Sequence, residues 1–99
     1  MVKVVWSKTA IKNRNEIFKY WNSNNQSTAY SLKLRRLIGE AINTITVFPQ
    51  IGKPTDRLDT RVEIILHYFL IYCIDGNRIR ILDFWDSRQD PLKLEIIIE

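Results

Sequence analysis

Apolar residues recur at helical spacing twice in the first half of the chain. Ala10, Ile11, Ile17, Phe18 and Trp21 lie on one stripe, and Tyr30, Leu34, Leu37, Ile38, Ala41, Ile42 and Ile45 lie on a second. Ser7 supplies an N-cap oxygen for the first helix, and Ser27 or Thr28 for the second. Pro49 and Gly52 end the second helix. The Asn/Ser-rich run 22–28 reads as the loop of a helical hairpin. Val2 to Trp6 is β-branched or aromatic except for Lys3 and predicts a first strand.

Beyond residue 60 the period changes. Residues 49–60 hold two prolines, a glycine and charges, and predict an exposed loop. Val62 to Leu66 begins a strand, and Tyr68 to Ile74 is apolar on both faces, as a central strand should be. Asp75-Gly76-Asn77 signals a tight hairpin. Arg78 to Trp85 alternates until Leu82, where a bulge or a buried face is expected. Asp90-Pro91 ends this strand, and Leu94 to Ile98 reads equally as a short helix or a strand. The order is β-α-α-β-β-β. That is an α+β fold, one domain over residues 1–99, with the helical hairpin packed on one face of a small, mainly antiparallel sheet. The opposite face is left for binding.

Charge adds direction to this pattern. Residues 1–61 carry 11 Lys/Arg and 4 Asp/Glu, whereas residues 62–99 carry 4 and 7. A basic front half and an acidic tail point to a polar partner. The single cysteine excludes an intramolecular disulfide, and a reducing, cytoplasmic setting is expected. Cys73 lies in the most apolar run and is expected to be a buried, inert thiol. No secretory signal or membrane span is expected. Phosphate-loop, Rossmann, nucleophile-elbow and zinc patterns are absent, so no cofactor is expected.

Several residues can carry chemistry. His67 is either a general base or a turn histidine hydrogen-bonded to backbone. Asp83, Asp86 and Asp90 cluster, but Arg88 beside them opposes a cation site. Arg57, Arg61, Arg80 and Arg88 offer planar forks for phosphate or carboxylate, and Arg80 is expected on the uncovered sheet face. Arg14 interrupts the first helical stripe and either pairs with Asp83 or snorkels along the helix edge. Trp6, Trp21 and Trp85 are core anchors, with Trp21 a hot spot for a protein partner if exposed.

In order and spacing these motifs resemble the ParE/RelE superfamily of bacterial toxins from type II toxin–antitoxin modules. The resemblance rests on Val4-Val5-Trp6-Ser7, Leu37 to Pro49, Pro49-Gln50-Ile51-Gly52-Lys53, Tyr68 to Tyr72, Ile79 to Leu82, and Asp86 to Pro91. It implies one of two activities. RelE-like members are ribosome-dependent ribonucleases that cut messenger RNA, and that reading would use Arg61, His67, Asp86 and Arg88. ParE-like members inhibit DNA gyrase without known enzymatic chemistry of their own. Many RelE-like enzymes carry an arginine where this chain has Phe69, and a histidine or tyrosine near the end of the last core strand. Here that stretch is Phe84-Trp85-Asp86-Ser87-Arg88-Gln89. The Pro-x-x-Gly at 49–52 and the Arg-x-Asp-Pro at 88–91 look ParE-like, although ParE-like members commonly show a histidine where Asp86 stands. A third reading is an interaction module that has lost toxicity. All three imply a cognate antitoxin, acidic at its toxin-binding end, and an exposed apolar patch to receive it. Trp21, Arg57, Arg61, Arg80, Trp85 and Arg88 are the residues expected to bind target or antitoxin.

Overall fold

The computed structural model describes residues 2–24 and 28–88. Strand β1 (Lys3–Trp6) leads into α1 (Lys8–Asn24), and α2 (Ala29–Val47) returns against it. Then follow β2 (Lys53–Pro54), β3 (Thr60–Ile65), β4 (Tyr68–Asp75) and β5 (Arg78–Asp86). The sheet order is β1-β5-β4-β3-β2, with β1 parallel to β5 and every other pair antiparallel. The fold is therefore the expected α+β arrangement, with one short strand added. Lys53 and Pro54, in the stretch expected to be loop, pair with Val62 and Arg61 as a two-residue edge strand. Proline is tolerated there because an edge strand need not donate on its outer side.

The first helix starts where its sequence says. Ser7 Oγ accepts the Ala10 N–H at 3.0 Å and donates to the Leu82 carbonyl at 2.8 Å, so one hydroxyl caps α1 and ties it to β5. Thr28 precedes α2 without a side-chain cap. The stripes of both helices meet the sheet as designed by their spacing. Ala10, Phe18, Leu34, Ile38 and Ile45 are buried against Ile65, Tyr68, Leu70, Tyr72, Ile79, Ile81 and Phe84. The other face is not bare: Val62, Phe69, Ile71 and Trp85 are buried there with Leu82 beside them. Phe69 and Trp85 sit edge to face at 6.2 Å.

The anomaly at Leu82 is a bulge. From the Asp75↔Arg78 pair to Tyr72↔Ile81 the register is regular, but Ile71 then pairs with Asp83. The extra residue moves every later β5 side chain to the opposite face. Arg14 does not pair with Asp83; its guanidinium donates to Asn15 Oδ1 at 3.4 and 3.3 Å. It stacks over Trp6 at 4.6 Å, and its neighbour Asn13 donates to Asp83 Oδ1 at 2.7 Å. Cys73 is half-exposed rather than buried, because it pairs with Arg80 on the face away from the helices, near the end of β4. Asp90 and residues 92–99 lie outside the described residues. Among the described residues, no helix is long and apolar enough to cross a membrane.

Candidate functional site

A cleft of about 610 Å³ opens between α1 and the end of β5. Asn13, Glu16, Tyr20 and Trp21 form its helical wall, with Tyr68, Asp86 and Arg88 opposite. The spacing 13, 16, 17, 20, 21 on α1 is one helical stripe, so a single face supplies that wall.

The sheet wall depends on a tight turn. Ile65 pairs with Tyr68, which leaves Leu66 and His67 as a two-residue connection between β3 and β4. Leu66 takes φ 57°, a region that costs a branched side chain about 1–2 kcal/mol. The His67 carbonyl accepts the Ser87 N–H at 2.9 Å, fixing the turn to the end of β5. Tyr68 pairs with Asp86, which places the His67 Nε2 3.7 Å from Asp86 Oδ2. That is too long for a hydrogen bond, and His67 Nε2 is buried without a partner. The imidazole instead lies against the Tyr68 ring at 4.2 Å, and Tyr68 lies on Phe84 at 5.4 Å. The expected bond from a turn histidine to backbone is made by its carbonyl, not its ring.

Asp86 is neutralised by Arg88. The Arg88 Nε and Nη2 donate to the two carboxylate oxygens at 3.1 and 2.9 Å, and the Arg88 N–H adds a third bond at 2.8 Å. These bonds hold the Asp86 carboxyl below its ordinary range, against the opposing effect of burial. Trp21 Nε1 donates to the Tyr68 hydroxyl at 2.5 Å. Burial pushes the Tyr68 phenol up, partly offset by that bond, so it stays protonated near neutrality. Trp21 also contacts Tyr20 (5.2 Å) and Tyr30 (4.3 Å). The result is an aromatic shelf edged by a paired acid and base. Such a surface suits binding better than proton transfer, because its carboxylate is already committed to an arginine.

The residues expected to act are divided by this geometry. Asp86, Arg88 and Trp21 line the cleft, and His67 stands behind it, against Asp86 and Trp21. Arg61 does not: it sits four residues from Ile65 along β3, roughly 13 Å away. Its Nη1 donates to the carbonyls of Gln50 (3.0 Å) and Gly52 (2.8 Å), so it holds the corner after α2. Arg57 is exposed in the loop before β3. Arg80 is exposed on the face away from the helices, as expected, because its neighbours Ile79 and Ile81 are buried on the helix side. Trp85 is 5% exposed: it packs with Phe69 on the far face and still contributes to the lining of the cleft. Tyr68, Asn13 and Tyr20 belong to the cleft without having been expected there.

A second feature lies at the end of α2. Val47, Phe48 and Ile51 are 67%, 64% and 51% exposed and line a shallow apolar groove with Pro49 and Ile74. An exposed apolar patch of this kind marks a surface for contact with another protein.

A two-helix hairpin on one face of a mixed sheet, with an aromatic cleft at its end, defines a small α+β toxin domain of the ParE/RelE type. The model for the ParE toxin of the type II toxin-antitoxin system, parDE, matches residues 4–91. The chain belongs to this family and is the toxin component of a type II module. Among solved structures it is similar to the chromosomal ParDE TA system from P. aeruginosa. That likeness has 17% identity and a TM-score of 0.71, and it covers 87% of this chain and 96% of that chain. It is also similar to the YoeB-YefM complex from Staphylococcus aureus, with 20% identity and a TM-score of 0.53 over 86% of this chain and 95% of that one. At these identities the likeness shows the fold. No curated protein matches.

Proposed function

We propose that this toxin inhibits DNA gyrase by binding it, without chemistry of its own, and is neutralised by an antitoxin acidic at its toxin-binding end. The observation that carries this reading is the fate of the positions a ribonuclease would use. Phe69 is buried on the face away from the cleft, against Trp85, and brings no cation to His67 and Asp86. Arg88 is spent on Asp86, and Arg61 on two backbone carbonyls. A developing phosphorane would meet no uncommitted guanidinium from Arg61 or Arg88. Trp21 and Arg88 at the cleft mouth are the contacts proposed for the target. The apolar groove at Val47, Phe48 and Ile51 is the surface proposed for the antitoxin.

The test is supercoiling of a relaxed plasmid by purified gyrase with the toxin in excess. Supercoiling should fall, and a stoichiometric antitoxin should restore it. Unchanged supercoiling, together with new transcript ends in cells making the toxin, would overturn the reading in favour of ribosome-dependent cleavage.

A further inference from the structure

The cleft holds one buried polar hydrogen that the chain itself does not use. The Tyr68 hydroxyl accepts the Trp21 Nε1–H, and it donates to no acceptor among the described residues. Tyr68 is 2% exposed and lines the cleft. A buried O–H without an acceptor is costly, so a partner group that brings one to this point is favoured. Burial keeps the phenol protonated near neutrality, and hence a donor.

Charge narrows the kind of group. Glu16 and Asp86 line the cleft against Arg88 alone, which leaves the lining acidic by one charge. Glu16 makes no ion pair among the described residues, whereas Asp86 is held by Arg88. Lys12 and Lys19 flank Glu16 on the side of α1 turned away from Asn13 and Ile17. A phosphate or a carboxylate is therefore repelled. A lysine or arginine meets the opposite difficulty, since neither carries an acceptor for the Tyr68 hydrogen. Shape narrows the choice further. Tyr20, Trp21, Tyr68 and Phe84 border a space of about 610 Å³, and aromatic walls favour another ring. Among Phe, Tyr and Trp, only Tyr carries an oxygen that accepts. Asp86 Oδ2 takes one bond, from Arg88, and keeps a lone pair for the hydrogen of an incoming phenol.

We propose that the cleft is a socket for a tyrosine side chain of the toxin's protein target, with the Tyr68 hydroxyl donating to its phenol oxygen. The inference deepens the gyrase reading and rests on it for treating this cleft as the contact with the target. Aromatic anchors seated in desolvated pockets dominate protein interfaces, so one such residue would carry much of the affinity.

The test uses the folded toxin and small probes, so it succeeds or fails apart from the supercoiling assay. The indole N–H of Trp21, assigned with Trp21→Phe, is followed by NMR during titration with N-acetyltyrosinamide. It should shift saturably, with a Kd of about 1–10 mM. N-acetylphenylalaninamide should bind about three- to tenfold more weakly. In Tyr68→Phe the two probes should bind alike, which a merely structural role of the hydroxyl would not produce. N-acetylargininamide and the O-phosphorylated tyrosine probe should bind the parent more weakly than either. Glu16→Lys, at an exposed helical position, should improve binding of the phosphorylated probe at least about twofold. If Tyr68→Phe fails to fold, as judged by its thermal melt, the order of the probes in the parent and the Glu16→Lys result carry the test. Absence of a saturable shift, equal binding of the tyrosine and phenylalanine probes to the parent, or tighter binding of the arginine or phosphorylated probe would overturn the proposal. A preference for tyrosine that survives in Tyr68→Phe, or a phosphorylated probe indifferent to Glu16→Lys, would do the same. Unchanged supercoiling with the probe order as expected would overturn the choice of gyrase and leave the socket standing.

Discussion

Leu66 sets the geometry of the cleft at some cost to itself. Its φ of 57° suits glycine or asparagine, yet the turn is Leu-His. Leu66→Val removes less apolar surface than Leu66→Gly but puts a β-branched residue at positive φ. The valine variant should therefore be the less stable by about 1–2 kcal/mol in urea unfolding. The reverse order would mean that side-chain contacts, not backbone conformation, govern the turn. Asp86 makes a second expectation at this scale. Its folded pKa is lowered by Arg88, so its contribution is present above the ordinary carboxylate value near 4 and is lost as pH falls through the folded value. Asp86→Asn should flatten the stability profile below about pH 4 and leave the shape above about pH 5 unchanged, as read by thermal melts across pH. The site residues themselves were only partly legible. His67, Asp86 and Arg88 stood out by type, but nothing in the sequence says that Tyr68 faces Asp86. Counting back from the Asp75↔Arg78 pair places Tyr68 opposite Trp85, and only the extra residue at Leu82 moves it to Asp86. A broken alternation signals a bulge, but not which residue the partner strand skips.

The elements were easier to read where a periodic face is buried. Both helical stripes, the apolar β4 and the Asp75-Gly76-Asn77 turn have local causes, and Gly76 does take φ 58°. The edge strand β2 and the Leu66-His67 turn were not legible, because neither carries a strand pattern or a turn residue at its tightest point. What positions β2 is a long-range tie. The Tyr72 hydroxyl donates to the Pro49 carbonyl at 2.6 Å and accepts the Gly52 N–H at 3.0 Å, while Arg61 holds the carbonyls of Gln50 and Gly52. A Cβ at Gly52 would stand 2.7 Å from that hydroxyl and 2.9 Å from the Val62 carbonyl oxygen. The oxygen is backbone and cannot swing away. Gly52→Ala should cost about 1–3 kcal/mol, measured by denaturant unfolding, and lower the melting temperature by about 4–8 °C per kcal/mol. A variant as stable as the parent would show that the corner shifts freely. The Pro-x-x-Gly motif is thus a packing requirement here before it is a functional mark.

At the scale of the whole molecule, the helices, the cleft and the apolar groove divide the surface into three differently built regions. The helical hairpin is cationic, the cleft is aromatic with a neutralised acid, and the groove after α2 is apolar. The first was visible in the sequence as a basic front half, although the loop arginines blurred where its centre lies. The sheet that joins these regions closes in an unusual place. Among the described residues β1 has only β5 as a neighbour, and their register joins Lys3 to Arg78. On the ribosome, β1 is made first and waits some 75 residues for its partner. At about 5–20 residues per second that is about 4–15 seconds of synthesis. Until Arg78–Asp86 has emerged there is no five-stranded sheet, no anchored α1 and no wall for the cleft. A surface that exists only in the closed sheet, such as the wall of the cleft, is therefore offered to a partner only once β5, the last described strand to be made, has been threaded between β1 and β4.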